Sequence, residues 1–250
     1  MSDMLRTELY PPAPFSLKRL LSTLRWDIQL QFRNGFYYAS AFVLALWALV
    51  FSQLPTLELG WLLPTFVLGN LIVSTFYYIG GLVLLEKGEG TLEAQIVTPM
   101  RTWEYLASKV ITLTGLSLLE SLVLVIVLNG FRFAVLPLAA GTILASAIYI
   151  LVGFIAVARY DSINEYLFPS ALYSSGFVLP LIDYFGLWKS WIFYLHPLQA
   201  PLLLMKAAFL PVEAWQLGYG LAYGSLWVWL LFRLSQNIFQ RFVISKEGVK

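Results

Sequence analysis

The chain has 250 residues, of which 59% are hydrophobic and only 12% charged, and its mean hydropathy is +0.75. An ordinary soluble domain carries about 25% charged residues, so the apolar excess excludes a single soluble core and points to an integral membrane protein. The absence of cysteine excludes disulfides, zinc–thiolate sites and thiol catalysis, and a net charge of +2 is too small to argue for nucleic acid as a partner.

Residues 1–35 carry charges throughout and lack a bare apolar run, so they do not read as a cleaved secretory signal. Within them, Phe15, Leu17, Leu20, Leu21, Leu24, Ile28 and Phe32 recur near helical spacing, with Lys18, Arg19, Arg25, Asp27 and Gln29 between them. This pattern predicts an amphipathic helix that rests in the headgroup layer as an anchor, or as a strut leading into the first span.

A helix needs about 20 mostly apolar residues to cross the hydrocarbon layer, and six runs qualify: 36–53, 61–85, 110–128, 135–157, about 167–182 and about 217–232. The fifth is short and bounded by Pro169 and Pro180, so it is expected to bend or re-enter. A β-barrel is disfavoured because the runs are continuously apolar rather than alternating. The fold class is therefore all-α integral membrane, with three regions: 1–35, a six-helix membrane domain over 36–233, and a tail over 234–250.

Placing both termini in the cytoplasm puts Arg6, Lys18, Arg19, Arg25, Arg33, Lys87, Arg101, Lys109, Arg159, Arg233, Arg241, Lys246 and Lys250 inside and leaves only Arg132, Lys189 and Lys206 outside. The positive-inside rule selects this orientation in a cell membrane. Outside, 183–215 is too apolar for a free loop and is expected to pack as short, partly re-entrant helices broken by Pro197, Pro201 and Pro211.

The inner segment Glu86–Lys109 is far longer than a turn requires and mixes glutamates with Leu92, Ile96, Val97, Trp103 and Tyr105. It reads either as a plain solvated loop or as a docking knob for a soluble partner, with a short helix over 91–97 that Thr98-Pro99 ends. The short polar turn Asp161–Glu165 offers a second, smaller contact.

No catalytic constellation is apparent. The chain lacks a Gly-x4-Gly-Lys-Ser/Thr phosphate loop, and its single histidine, His196, cannot build a metal site alone. Glu120 stands out as an ionisable residue deep in the third run, continuing a polar stripe through Thr114, Ser117 and Ser121. Intramembrane ionisable residues are rare and face protein or water. Glu120 reads either as part of a substrate path or as a carboxyl hydrogen-bonded between helices. Asn70, Ser74, Tyr77 and Tyr78 in the second run, and Tyr173 and Ser174 in the fifth, either line the same path or join helices. Gly141, Ala145 and Gly153 read as packing positions.

The stretch EKGEGTLEAQIVTP over 86–99, followed by YLASK over 105–109, resembles the signature of ABC-2 type permeases, and the resemblance extends over the whole chain. LRWDIQLQF, GFYYASAF, ARYDSINE and YLHPLQAPLLL are similar, more narrowly, to fluoroquinolone-export-type permeases. The resemblance implies a permease that pairs with a second copy or a related chain and engages a separate ATPase. That partner would bind ATP and magnesium, while this chain holds no cofactor. It also implies that Glu86, Glu89, Gly90, Thr91, Leu92, Glu93, Thr98 and Pro99 carry the coupling contact, with Asp161, Asn164 and Glu165 as a second one. The substrate would be a small amphipathic, drug-like or lipid-like molecule. An ion-gradient-driven secondary transporter, with Glu120 carrying a proton, and a non-transporting membrane scaffold are the competing readings.

Overall fold

The computed structural model describes residues 16–53, 59–92 and 101–240, which are all-helical with no strand among them. Chain order gives α1 (Leu17–Arg33), α2 (Phe36–Ser52), a 3-10 turn at Leu59–Trp61, α3 (Leu63–Gly88), α4 (Thr102–Asn129) and α5 (Val135–Val157). It continues through α6 (Ile163–Ser175), a 3-10 turn at Gly176–Val178, α7 (Leu179–Tyr184), a 3-10 segment at Trp191–Leu195, α8 (Gln199–Ala207) and α9 (Ala214–Ile238). α3, α4 and α5 are each long and apolar enough to cross a membrane, and α1 with α2, bent by 59° at their junction, makes a fourth crossing if the pair is one span.

The second and third helices run further than their apolar runs suggest. α3 continues through Glu86 and Lys87, and α4 begins at Thr102, well ahead of Val110. At the start of α4 the Arg101 backbone N–H donates to Glu104 Oε2 at 3.0 Å and the Glu104 backbone N–H to the Arg101 carbonyl at 2.9 Å, which satisfies the helix end there. The described helices thus take up both ends of the 24-residue inner segment, while 93–100 lies outside the described residues, and with it Glu93, Thr98, Pro99 and most of the short helix expected at 91–97.

The helix of the N-terminal region forms as expected, but its faces are used differently. Leu17, Leu21, Trp26, Ile28 and Phe32 are exposed, whereas Asp27 and Gln31 are buried. The apolar stripe is thus available to lipid while two polar groups point into protein. The fifth apolar run breaks where Phe177 wedges between Phe76 of α3 and Tyr149 of α5, with ring centroids at 5.1 and 4.7 Å. That contact fixes the 3-10 turn separating α6 from α7, while Pro169 sits inside α6 and Pro180 in the first turn of α7.

α5 is the central helix, with α3 and α4 on one side and α8 and α9 on the other. α8 is a short helix packed into the bundle, with Ala200, Leu202, Leu204 and Met205 buried. Between apolar helices in lipid, association depends on close packing rather than on expelling water, so small residues matter. A Cβ built on Gly153 would stand 2.6 Å from Ile79 Cγ2 and 2.9 Å from the Phe76 carbonyl oxygen, and one on Gly141 2.8 Å from the Pro201 carbonyl oxygen. Gly153→Ala is therefore expected to lower the unfolding midpoint of the purified chain by the equivalent of about 1–3 kcal/mol. Gly69→Ala, which meets nothing within 4 Å, is expected to leave the midpoint in place. Thermal unfolding of both variants in detergent checks this.

α3 is locally widened. Residues Ile72–Tyr77 form a π-helical segment, in which the Ser74 hydroxyl donates to the Asn70 carbonyl at 3.3 Å and the Thr75 hydroxyl to that of Leu71. Hydroxyls that bond back onto their own helix compete with the regular ladder and distort it, and such π segments recur at functional sites.

Candidate functional site

Two polar constellations sit inside this apolar bundle. The first lies where α1, α3 and α4 meet, at the end that carries the α3–α4 connection. Lys109 of α4 is 1% exposed, and its ammonium donates to Asp27 Oδ1 of α1 at 2.5 Å and to Glu86 Oε1 of α3. Tyr105 donates to Glu86 Oε2 at 2.6 Å, and Ser108 donates to Asp27 Oδ2. Every oxygen of both carboxylates is thus bonded. A buried ion pair needs this, because the loss of hydration is repaid only when the geometry is good and the remaining lone pairs are satisfied.

The same seam extends along α1 in both directions. Arg19 makes a two-pronged contact with Glu104, at 2.9 and 3.2 Å, and Gln31 donates to Thr112 at 2.9 Å. Successive polar residues of α1 at about helical spacing therefore clamp it onto one face of α4. Nearby, Lys87 donates to the carbonyls of Ala158 at 3.0 Å and Tyr160 at 2.7 Å and approaches Asp161 at 3.5 Å. This lysine caps the C-terminus of α5, where cations are favoured, and ties the end of α3 to the turn before α6.

The second constellation lies in the bundle interior beside the widened turn. Asn70 of α3 donates to Glu120 Oε2 of α4 at 3.2 Å, and Glu120 is 3% exposed. Nearby, Ser40 of α2 bonds Tyr78 of α3 at 3.1 Å. One α4 turn away, Ser117 bonds Ser146 of α5 at 2.8 Å. Glu120 Oε1 and the hydroxyls of Ser121 and Thr114 are buried without a partner at bonding geometry. The result is a line of polar groups crossing α2, α3, α4 and α5, with bonding capacity left over on the carboxyl.

Of the residues expected to line a path, the structure brings Asn70, Ser74, Ser117, Glu120 and Ser121 into this line. Tyr77 and Ser174 meet separately, at 3.2 Å between α3 and α6, and Tyr173 is largely exposed on α6. Of the residues grouped as a coupling contact, Glu89, Asp161, Asn164 and Glu165 are exposed. Glu86 and Leu92 are 1% and 0% exposed and face inward. Gly90 takes a positive φ of 67°, which glycine adopts without steric cost. Ser162 caps the N-terminus of α6 by accepting from the Glu165 backbone N–H at 3.4 Å.

Asp27, Lys109, Glu104 and Arg19 escape a sequence reading because their partners are 81 or more residues away or lie on another helix. The available signal was three opposite charges, Asp27, Glu86 and Lys109, each set among apolar residues. Among the described residues, His196 belongs to no cluster of metal-ligating side chains. It accepts from the Leu198 backbone N–H through Nδ1 at 3.2 Å, and burial holds its pKa below the ordinary 6.5, partly opposed by a hydrogen bond with the Gly176 backbone. A lowered folded-state pKa means the unfolded chain binds more protons just below pH 6.5, so stability is complete above that pH and declines as pH falls through the folded value. The unfolding midpoint is expected to drop as the pH falls below 6.5, and His196→Gln is expected to flatten that part of the profile.

Apolar helices long enough to cross a membrane, packed around an internal polar line, define a multi-pass membrane protein. The chain belongs to the fluoroquinolones export permease protein family, whose model matches residues 18–247. It is 34% identical over 237 residues to the fluoroquinolones export permease proteins of two Mycobacterium tuberculosis strains, CDC 1551 / Oshkosh and H37Rv, covering 93% of this chain and 100% of each relative. No solved structure matches it.

Proposed function

We propose that this chain is the membrane subunit of an ABC-2 type transporter, exporting a small amphipathic, drug-like or lipid-like substrate with energy from a separate ATPase that binds ATP and magnesium. In this reading α2, α3, α4, α5, the α6–α7 pair and α9 make six spans, both termini are cytoplasmic in the cell membrane, and α1 lies along the inner leaflet. The working unit contains two permease copies or two related chains.

The observation that carries the reading is the meeting of two turns at one end of the bundle. Glu89–Leu92 and Asp161–Glu165 are far apart in sequence, yet Lys87 joins the helix end before the first to the second. A soluble ATPase gripping the exposed Glu89, Asp161, Asn164 and Glu165, and with them the half-buried Gly90, would move α3, α4 and α6 together. Glu86 and Leu92 serve this contact from within, by holding the turn to the bundle. The buried seam of α1 would carry the same motion to α2.

The relatives' names make fluoroquinolones the first compounds to test. Inside-out vesicles holding this chain and its ATPase are expected to accumulate a fluorescent fluoroquinolone on addition of ATP and magnesium, and to lose that uptake when the ATPase is omitted. Uptake driven by a proton gradient without the ATPase would overturn the proposal in favour of a secondary transporter.

A further inference from the structure

The end of the bundle opposite the α3–α4 connection holds a group of charges that the transport reading leaves unused. Lys189, Lys206, Asp183 and Gln199 line a cavity of about 180 Å³. Through Asp183, Lys189 and Tyr194 it continues into a shallower cleft of about 620 Å³ rimmed by Trp191 and Trp215. Under the proposed orientation, two of the three basic residues on the outer side meet in this one place.

Neither lysine has a carboxylate within ion-pair distance among the described residues, and the Lys206 ammonium lies over the Tyr184 ring at 5.9 Å. Two ammonium groups against one carboxylate give the cavity a net positive charge, which favours an anion. Gln199 adds an opposite demand. It is 1% exposed, its amide nitrogen donates to Asp183 Oδ2 at 2.9 Å, and its Oε1 is buried without a donor. Because an ionised carboxylate only accepts, that bond fixes the amide orientation and leaves the glutamine oxygen requiring an N–H or O–H. An occupant satisfying both halves carries a negative oxyanion and, a few bonds away, a hydrogen-bond donor.

Size and depth narrow the choice. Drug-sized ligands occupy about 300–1,000 Å³, so the inner cavity suits a headgroup rather than a whole drug. Trp191 and Trp215, which rim the adjoining cleft, are exposed, and exposed tryptophans mark the level of lipid headgroups. We propose that this cavity holds the headgroup of a membrane phospholipid that bears a donor beyond its phosphate, ethanolamine or glycerol. The phosphate meets Lys189 and Lys206, and the donor meets Gln199 and Asp183. Choline, which has no N–H or O–H, fills the same space without satisfying Gln199.

This inference goes beyond the transport reading, and its test needs no ATPase. The purified chain is exchanged into micelles doped with equal amounts of synthetic phosphatidylethanolamine, phosphatidylglycerol or phosphatidylcholine, and retained lipid is read by native mass spectrometry. Ethanolamine and glycerol lipids are expected to be retained about tenfold better than the choline lipid, a difference of about 1.4 kcal/mol. Lys189→Ala combined with Lys206→Ala is expected to abolish retention of all three. Gln199→Leu is expected to erase the preference over choline while leaving phosphate-dependent retention. Lys189→Ala alone, at an exposed position, supplies a variant whose fold is not at issue and is expected to weaken retention severalfold. Equal retention of the three lipids by the parent chain, or full retention by the lysine variants, would overturn the proposal. So would complete displacement by millimolar inorganic phosphate, which would identify a free-anion site instead.

Discussion

Lys109→Met is expected to cost the folded chain about 3–5 kcal/mol, the usual penalty for removing one partner from a buried ionic cluster. The reason lies in what remains. Asp27 and Glu86 are 4% and 1% exposed, so without the ammonium two carboxylates stay close together in a dry seam. Their other bonds, from Ser108 and Tyr105, are single hydroxyl donations that cannot balance two negative charges. Adding Asp27→Asn and Glu86→Gln to Lys109→Met removes both charges and is expected to recover most of the loss. The cost therefore belongs to unpaired charge rather than to the missing lysine stem. Thermal unfolding and monodispersity of the single and triple variants in detergent measure both outcomes. A single variant as stable as the parent would mean that the seam is wet.

The triple variant also separates stability from coupling. It should fold while retaining the Arg19–Glu104 and Gln31–Thr112 contacts that hold α1 to α4. If α1 transmits motion from the α3–α4 turn, the folded triple variant should export less per ATP hydrolysed than the parent.

The same cluster explains where sequence reading succeeds and where it stops. Composition and the run of apolar residues give the membrane class, and they place α5 at its observed bounds, because Val135–Val157 is preceded by Gly130 and Arg132 and followed by Arg159, with no charge inside. α3 and α4 are harder. A charge normally marks the end of a membrane helix, yet Glu86 and Lys109 neutralise each other across the helix interface, so both helices run through them. Hydropathy along a single chain cannot register a cancellation between residues 23 positions apart. For α1 the periodicity gives the helix but not the use of its faces, since Asp27 and Gln31 are drawn inward only by partners on α4. The polar line is partly legible. Asn70, Ser74, Ser117 and Glu120 stand out as polar groups in apolar runs, whereas Ser40 and Ser146 are inconspicuous serines until the bundle places them beside Tyr78 and Ser117. The bend in the fifth run is announced by Pro180, but its place at Gly176–Val178 comes with Phe177 wedging between two other aromatic rings, a tertiary contact that the local sequence does not show.

Glu120 carries the second large effect, and three substitutions divide its structural and functional roles. Glu120→Leu removes the acceptor for Asn70 Nδ2, which is itself buried. Stranding that donor is expected to cost about 1–3 kcal/mol. Glu120→Gln keeps a carbonyl oxygen in nearly the same place, so Asn70 retains its acceptor and the unfolding midpoint should stay close to that of the parent. Export should behave differently. The carboxyl has a second oxygen, Oε1, buried without a partner, beside a helix turn already widened at Ile72–Tyr77, and under the proposed transport reading that spare capacity would serve a substrate. An amide substitutes an N–H donor and abolishes the possible negative charge, so Glu120→Gln is expected to lower ATP-driven export by about tenfold, or about 1.4 kcal/mol of interaction, in a chain that still folds. Asn70→Leu tests the arrangement from the other side. It should leave the carboxyl in place without its positioning amide and reduce export less than Glu120→Gln does. Parent-level export by Glu120→Gln, with the fold intact, would assign the carboxyl to helix packing alone and move the substrate path elsewhere in the bundle.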